Sequence, residues 1–153
     1  MANENKELDD IDKQIIQLLQ ENSRITLVDI AKEIGELTEN AIRYRIDKLE
    51  DEGYITNYTI QLNPKKFGKN IMVIFNFNVL PENINASLDF LKSIDYLTEI
   101  YLTTGNYSII AIGYFEDNPA VTKFITENLK KVEMIDYDVI TVLNRVKHGL
   151  YGI

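Results

Sequence analysis

The chain has 153 residues, with 45% hydrophobic and 26% charged content and a formal net charge of −8. That is the balance of a soluble globular protein, with room for one ordinary domain or two small ones. With no cysteine, disulfides, thiolate catalysis and thiolate metal sites are excluded, and no apolar run approaches the roughly 20 residues that span a membrane. The polar, acidic start MANENKELDD carries no secretory signal, so a cytoplasmic protein is expected.

Asp9 and Asp10 precede Ile11, Ile15, Leu18 and Leu19, which recur at helical spacing. Acidic residues suit a helix N-terminus, and this first helix is predicted to run about three turns to Asn22. Thr26 suits an N-cap for a second helix bearing Leu27, Ile30, Ala31 and Ile34, which Gly35 stops. Thr38 caps again, and Ala41, Ile42, Ile46 and Leu49 form the stripe of a third helix closed by Gly53. Only Glu36 and Leu37 separate Gly35 from the second cap. Two short amphipathic helices joined so closely must cross at a large angle, packing through Ile34, Ile42 and Ile46. This is the pattern of a helix-turn-helix, whose second helix presents its outer face to the major groove of double-stranded DNA.

Asn40, Arg43, Tyr44, Asp47 and Lys48 fall outside the apolar stripe of that helix. Asn and Arg can make paired hydrogen bonds to adenine and guanine edges, and Lys48 suits a phosphate. The candidate DNA contacts are Thr38, Asn40, Arg43, Tyr44, Arg45 and Lys48. Arg45 lies beside the stripe and could reach either a phosphate or a structural carboxylate. Lys65 and Lys66 are further phosphate candidates, while Glu39 and Asp47 would repel phosphates and help to reject wrong sites. The acidity of the chain opposes bulk attraction to DNA, because residues 1–68 alone hold 9 Lys and Arg against 14 Asp and Glu. Positive charge must therefore be concentrated locally, in a dimer or larger assembly.

After Gly53, Ile55, Tyr58, Ile60 and Leu62 suggest a β-rich extension that makes the motif winged. Asn63, Pro64 and Gly68 punctuate the chain. The expected division is a winged helix-turn-helix over residues 1–63, a hinge over 64–69 and a second domain over 70–153. In that domain Val73, Phe75, Phe77 and Val79 alternate along a strand that Pro81 ends. Ile84, Leu88, Leu91 and Ile94 give a helix, TEIYLTT a strand, and Gly105-Asn106 a hairpin turn into YSIIAIGYF. Asn118 followed by Pro119 reads as an N-cap with proline at the first helical position, ahead of Val121, Phe124, Ile125 and Leu129. MIDYDVITVLNRV is the last strand. The order βαββαβ is ferredoxin-like, so the fold class is α+β. The strands over 107–115 and 137–146 are apolar on both faces, whereas helices cover only one face of such a sheet. Self-association through the other face is expected, as a homodimer.

The stretch IAKEIGELTENAIRYRIDKLEDEGYITNYTIQLNPKKFG resembles the winged helix-turn-helix of the leucine-responsive regulatory protein/AsnC family, with matches at Ile30-Ala31, Gly35, Arg45-Ile46, Leu49-Glu50, Gly53, Ile55, Tyr58, Leu62 and Gly68. The second half is similar to that family's ligand-binding and oligomerisation domain, with its glycine-tyrosine loop at Thr104-Gly105-Asn106-Tyr107. The resemblance covers nearly the whole chain. It implies a transcriptional regulator, dimeric or a tetramer of dimers, tuned by a small effector such as an amino acid. The effector residues it implies are Gly105, Asn106, Tyr107, Ser108 and Asp136. Where the family loop carries an aspartate able to pair with an ammonium group, this chain has Ser108, which offers a hydrogen bond but no charge. Val132-Glu133-Met134 replaces a glycine turn, and Val139 stands where a threonine is expected. These departures argue against an ordinary free amino acid at the loop, unless Asp136 or Asp138 restores the carboxylate.

No nucleophile, paired acid and base, phosphate-cradling glycine loop or metal-ligand cluster stands out, so neither an enzyme nor a cofactor is expected. His148 is the only histidine and reads as ordinary surface chemistry. Two other readings compete with a regulator: an architectural DNA-binding protein, and a metabolite-binding module with no regulatory effector.

Overall fold

The computed structural model describes residues 8–35 and 37–147; the expectations about Glu36, His148 and the Gly149–Ile153 tail lie outside them. The chain divides into two compact units, the first ending at Gln61 and the second beginning at Leu62.

The first unit holds α1 (Asp10–Glu21), α2 (Leu27–Ile34) and α3 (Glu39–Asp51). Each starts at a side-chain cap: Asp9 accepts from the Asp12 amide, Thr26 from that of Asp29, and Thr38 from that of Ala41. Each cap satisfies one of the amides that a helix start leaves without a partner. Ile15, Ile30 and Ile42, one from each helix, are fully buried in one cluster with Ile16, Ile46 and Leu49. Each such burial stabilises by about 1.5–3 kcal/mol. Gly53 turns the chain at φ 78°, and the Ile55 amide donates to the Leu49 carbonyl, bringing Ile55 against the cluster.

The β-rich extension expected after Gly53 forms no ladder: residues 54–63 carry no strand. A strand needs a neighbouring edge, and the other described residues of this unit are helices and short turns. Tyr58 is anchored instead by its hydroxyl on Glu50 Oε1 at 2.7 Å. Burial first, then the Glu50 carboxylate, pushes that hydroxyl's pKa up to about 12.

The second unit contains β1 (Ile71–Val79), α4 (Ile84–Lys92), β2 (Leu97–Leu102), β3 (Ile109–Phe115), α5 (Asn118–Asn128) and β4 (Met134–Val142). The sheet is antiparallel with order β2-β3-β1-β4, the ferredoxin-like arrangement. Alternation places Val73, Phe75, Phe77 and Val79 on the helix-covered face, packed with Leu91, Phe115 and Phe124. On the other face Ile74 lies in register between Ile112 and Ile140, and Met72 between Tyr114 and Val142. Ile140 keeps 47% of its surface exposed there.

Two boundaries differ from expectation. The last strand stops at Val142 because its sole neighbour runs out, Met72↔Val142 being the final pair. Leu143 and Val146 are almost wholly exposed as a result. The cap of α5 is Asp117, whose Oδ1 accepts from the Ala120 amide at 2.8 Å, so Asn118 is already inside the helix.

Candidate DNA interface and effector loop

The first turn of α3 is fixed by Thr38, whose Oγ1 accepts from the Ala41 amide at 3.2 Å. Ile42, Ile46 and Leu49 then face the cluster, which rotates Asn40, Arg43, Tyr44 and Asp47 outward. Tyr44 keeps 70% of its surface exposed, although it is a large aromatic. An unburied aromatic beside Asn and Arg offers an apolar contact for a thymine methyl next to two groups able to read purines. Arg43 Nη2 lies 3.3 Å from Glu39 Oε1 and Lys48 Nζ 3.7 Å from Glu52 Oε1, each pair one helical turn apart. Both cations on this surface therefore rest on nearby carboxylates, Arg43 on one within α3 and Lys48 on the residue that caps its end.

Arg45 turns the other way. Its Nη1 lies 2.7 Å from Asp9 Oδ2 and 2.6 Å from Asp12 Oδ1, which joins α3 to the start of α1. The structure thus brings Thr38, Asn40, Arg43, Tyr44 and Lys48 onto or beside one face and holds the Arg45 guanidinium inside the unit. Asp12 was not singled out in the sequence, although it interrupts the stripe of Ile11, Ile15 and Leu19. An acidic residue in a buried stripe signals a buried cation facing it.

The backbone amide of Asp12, then the Arg45 guanidinium, hold the Asp9 carboxyl below the usual aspartate value of 3.8, while Arg45 is raised mainly through its bond to Asp9. Since the folded pKa is depressed, the stability contributed is complete above 3.8 and is lost as pH falls through the lower folded value. Asn caps as well as Asp, so Asp9→Asn isolates the charge. This variant is expected to melt below the wild type at neutral pH, with the gap closing in the acid range below the ordinary aspartate value. Thermal melts by circular dichroism read it, and a gap that persists there would mean that the charge is not the source.

In the second unit, residues 103–108 link β2 to β3. The Thr103 amide donates to the Ser108 carbonyl at 2.8 Å, and Thr103 Oγ1 donates to the Tyr107 carbonyl at 2.7 Å. Gly105 has φ 112°, a conformation closed to most side chains. Ser108 is committed to β1: its amide donates to the Phe77 carbonyl at 2.9 Å and its Oγ accepts from the Val79 amide at 3.0 Å. Asn106 and Tyr107 line an open cavity of about 590 Å³ with Leu102, Thr103, Thr104 and Ile110. The Tyr107 hydroxyl donates to Asp138 Oδ2 at 2.8 Å, a bond that raises the pKa of the phenol above its ordinary value. Asp138 is therefore the carboxylate that reaches the loop; Asp136 is exposed and accepts from the Tyr137 amide. Among the described residues, no group of three or more His, Cys, Asp or Glu could hold a metal ion, and no helix is long and apolar enough to cross a membrane.

The sequence matches the family description "Winged helix-turn-helix DNA-binding" over residues 8–56 and "Lrp/AsnC ligand binding domain" over residues 72–150. It is 32% identical to the HTH-type transcriptional regulator LrpA of Pyrococcus horikoshii, over 82% of this chain and 89% of that protein. It is 31% identical to the HTH-type transcriptional regulator Ptr1 of Methanocaldococcus jannaschii, over 93% of this chain and 96% of that protein. The fold is that of AsnC from E. coli, at a TM-score of 0.87 and 24% identity, covering 95% of this chain and 98% of that one. It is also that of a transcriptional regulator of Neisseria meningitidis solved as an L-Met complex, at a TM-score of 0.82 and 24% identity, covering 93% and 94%.

Proposed function

The chain belongs to the Lrp/AsnC family of DNA-binding transcriptional regulators, and we propose that it reads a pseudo-palindromic site as a homodimer. The α3 helices of the two subunits would enter successive major grooves about 34–36 Å apart. What carries this reading is the outward face of α3, where Asn40, Arg43 and exposed Tyr44 stand on a helix whose start is held by Thr38. Asn40, Arg43 and Tyr44 read bases, Lys48 positions the helix on a phosphate, and Thr38 fixes the turn that approaches the backbone. The functional division follows the same lines, with residues 1–63 as the DNA-binding domain, 64–69 as the hinge and 70–153 as the assembly and effector domain.

Support for the homodimer is the uncovered sheet face around Ile74, Ile112 and Ile140. Isoleucines at the centre of a sheet gain most from a second apolar layer, and a second copy of the same face provides one. Dimers joined further would give the tetramer of dimers. A small effector, such as an amino acid or a related molecule, would bind at the Gly105 loop between subunits through Asn106 and Tyr107. Ser108 would hold the loop in place, and Asp138 would supply the carboxylate expected of Asp136. Such an effector alters DNA binding only by preferring one assembly over another. A cytoplasmic location belongs to the same reading, and no catalysis is assigned. Purely architectural binding is disfavoured by the net charge of −8, because non-specific affinity comes from phosphate neutralisation.

The test is fluorescence anisotropy titration against the DNA upstream of the protein's own gene, with scrambled DNA as control, across a salt series. A strong preference for the upstream fragment that persists at raised salt is the expected result. Equal, weak, salt-sensitive binding to both would overturn sequence-specific autoregulation.

A further inference from the structure

Glu39 is the first residue of α3, and its carboxylate accepts from Arg43 Nη2 at 3.3 Å. An acidic residue in a first turn suits the helix dipole. The dipole alone does not account for a carboxylate paired with a cation on the surface that meets DNA. The cap makes no use of it either: Thr38 takes the Ala41 amide, and Ala41 stands where a capping box would carry its glutamate. Glu39 and Arg43 are one turn apart on a single ridge of the helix, with side chains 49% and 59% exposed. Among the described residues, Arg43 is the one side chain bonded to Glu39.

When Arg43 turns to a guanine edge, Glu39 is released at the end of the helix whose residues meet the bases. A carboxylate left there without a donor faces phosphates on both walls of the groove and loses hydrating water, a cost greater than that of a neutral polar group. The major groove offers it donors in two places, the N4 amino group of cytosine and the N6 amino group of adenine. Adenine sets its N7 acceptor beside that amine, whereas cytosine presents no acceptor of its own there, so a carboxylate favours cytosine. Asp47 is one methylene shorter and lies about two turns further on, and Glu52, the partner of Lys48, lies beyond the end of α3. We propose that Glu39 reads the N4 amino group of a cytosine, in a base pair neighbouring the guanine bound by Arg43. Four residues rise about 6 Å along a helix, so the two side chains span adjacent pairs stacked about 3.4 Å apart. This role deepens the assignment of α3 as the reading helix and depends on it.

Selection of bound duplexes from a library with a randomised centre tests the proposal, run with the full chain, with Glu39→Gln and with Arg43→Ala. The wild type is expected to enrich a motif with a cytosine beside a guanine. Glu39→Gln should no longer require the cytosine but still require the guanine, which Arg43→Ala loses. Anisotropy on the enriched duplex, and on duplexes altered at the cytosine alone, should show discrimination of about tenfold in the wild type and within about twofold in Glu39→Gln. Glu39 is exposed and glutamine keeps its size, so the variant should fold, and circular dichroism checks this. A wild-type motif without a cytosine beside its guanine would overturn the proposal with no variant needed. A Glu39→Gln motif identical to that of the wild type, with every duplex bound more tightly by one factor, would mean that Glu39 only repels phosphates, and overturn it too. Loss of the same guanine as in Arg43→Ala, and of no cytosine, would make Glu39 a brace for Arg43 instead. A wild type that enriches no motif would remove α3 as the reading helix and this role with it, a failure visible before any variant is used.

Discussion

Replacing Arg43 by alanine is expected to weaken binding to the preferred DNA site by about 1–3 kcal/mol, roughly fivefold to 150-fold, with far less change on scrambled DNA. Arg43 stands on the outward face of α3, and its guanidinium rests on Glu39 at 3.3 Å. Both side chains are about half exposed, and an exposed pair one helical turn apart contributes only about 0.3–0.5 kcal/mol. Leaving Glu39 for a guanine edge thus costs little beside a paired hydrogen bond to the base. Anisotropy on matched and scrambled duplexes separates the two effects. A parallel loss on both would reassign Arg43 to the phosphates, and unchanged specific binding would remove it from the reading face.

Arg45→Met should act on folding rather than on recognition. Removing one partner of a buried ion pair costs about 3–5 kcal/mol, because the remaining charge stays buried. Here Asp12 is 11% exposed at its side chain, Arg45 26% and Asp9 51%, so solvent screens part of the loss. A destabilisation of about 2–3 kcal/mol by urea unfolding is expected after that discount. The salt dependence of DNA binding separates this role from its rival. A lost phosphate contact lowers the slope of log K against log salt by about 0.9, whereas loss of an internal pair leaves the slope of the folded protein unchanged. A stable variant with a reduced slope would make Arg45 a phosphate contact.

The helices could be read from the sequence because their information is local. Thr26 and Thr38 each stand at a cap, and the isoleucines that follow recur at helical spacing. The sheet order was likewise readable from a run of alternating strands with short connections. Pairing across the chain was not. That Arg45 meets Asp9 and Asp12, or that Asp138 rather than Asp136 reaches Tyr107, depends on residues more than 30 positions apart. Sequence spacing carries no distance across such gaps. The extension after Gly53 shows the converse limit. Ile55, Tyr58, Ile60 and Leu62 alternate as a strand does, but alternation describes a preference, and a ladder also needs a neighbour. The end of β4 followed the same rule, set by the length of β1 and not by the residues beyond Val142.

The position of β1 has a consequence for synthesis on the ribosome. The helical cluster is closed by Ile55, so the first unit can complete its core early from contacts near in sequence. β1 is made next, yet it occupies the inside of the sheet between β3 and β4, and β4 is the last strand to be translated. Through most of the synthesis of the second half, Ile71–Val79 therefore presents a bare edge to its surroundings. Asn76 and Asn78 interrupt the apolar residues of that edge and act as gatekeepers during the interval. Neighbouring ribosomes on one message hold further nascent copies at the same stage, so emergence of β4 is the moment at which each chain settles on its own strand.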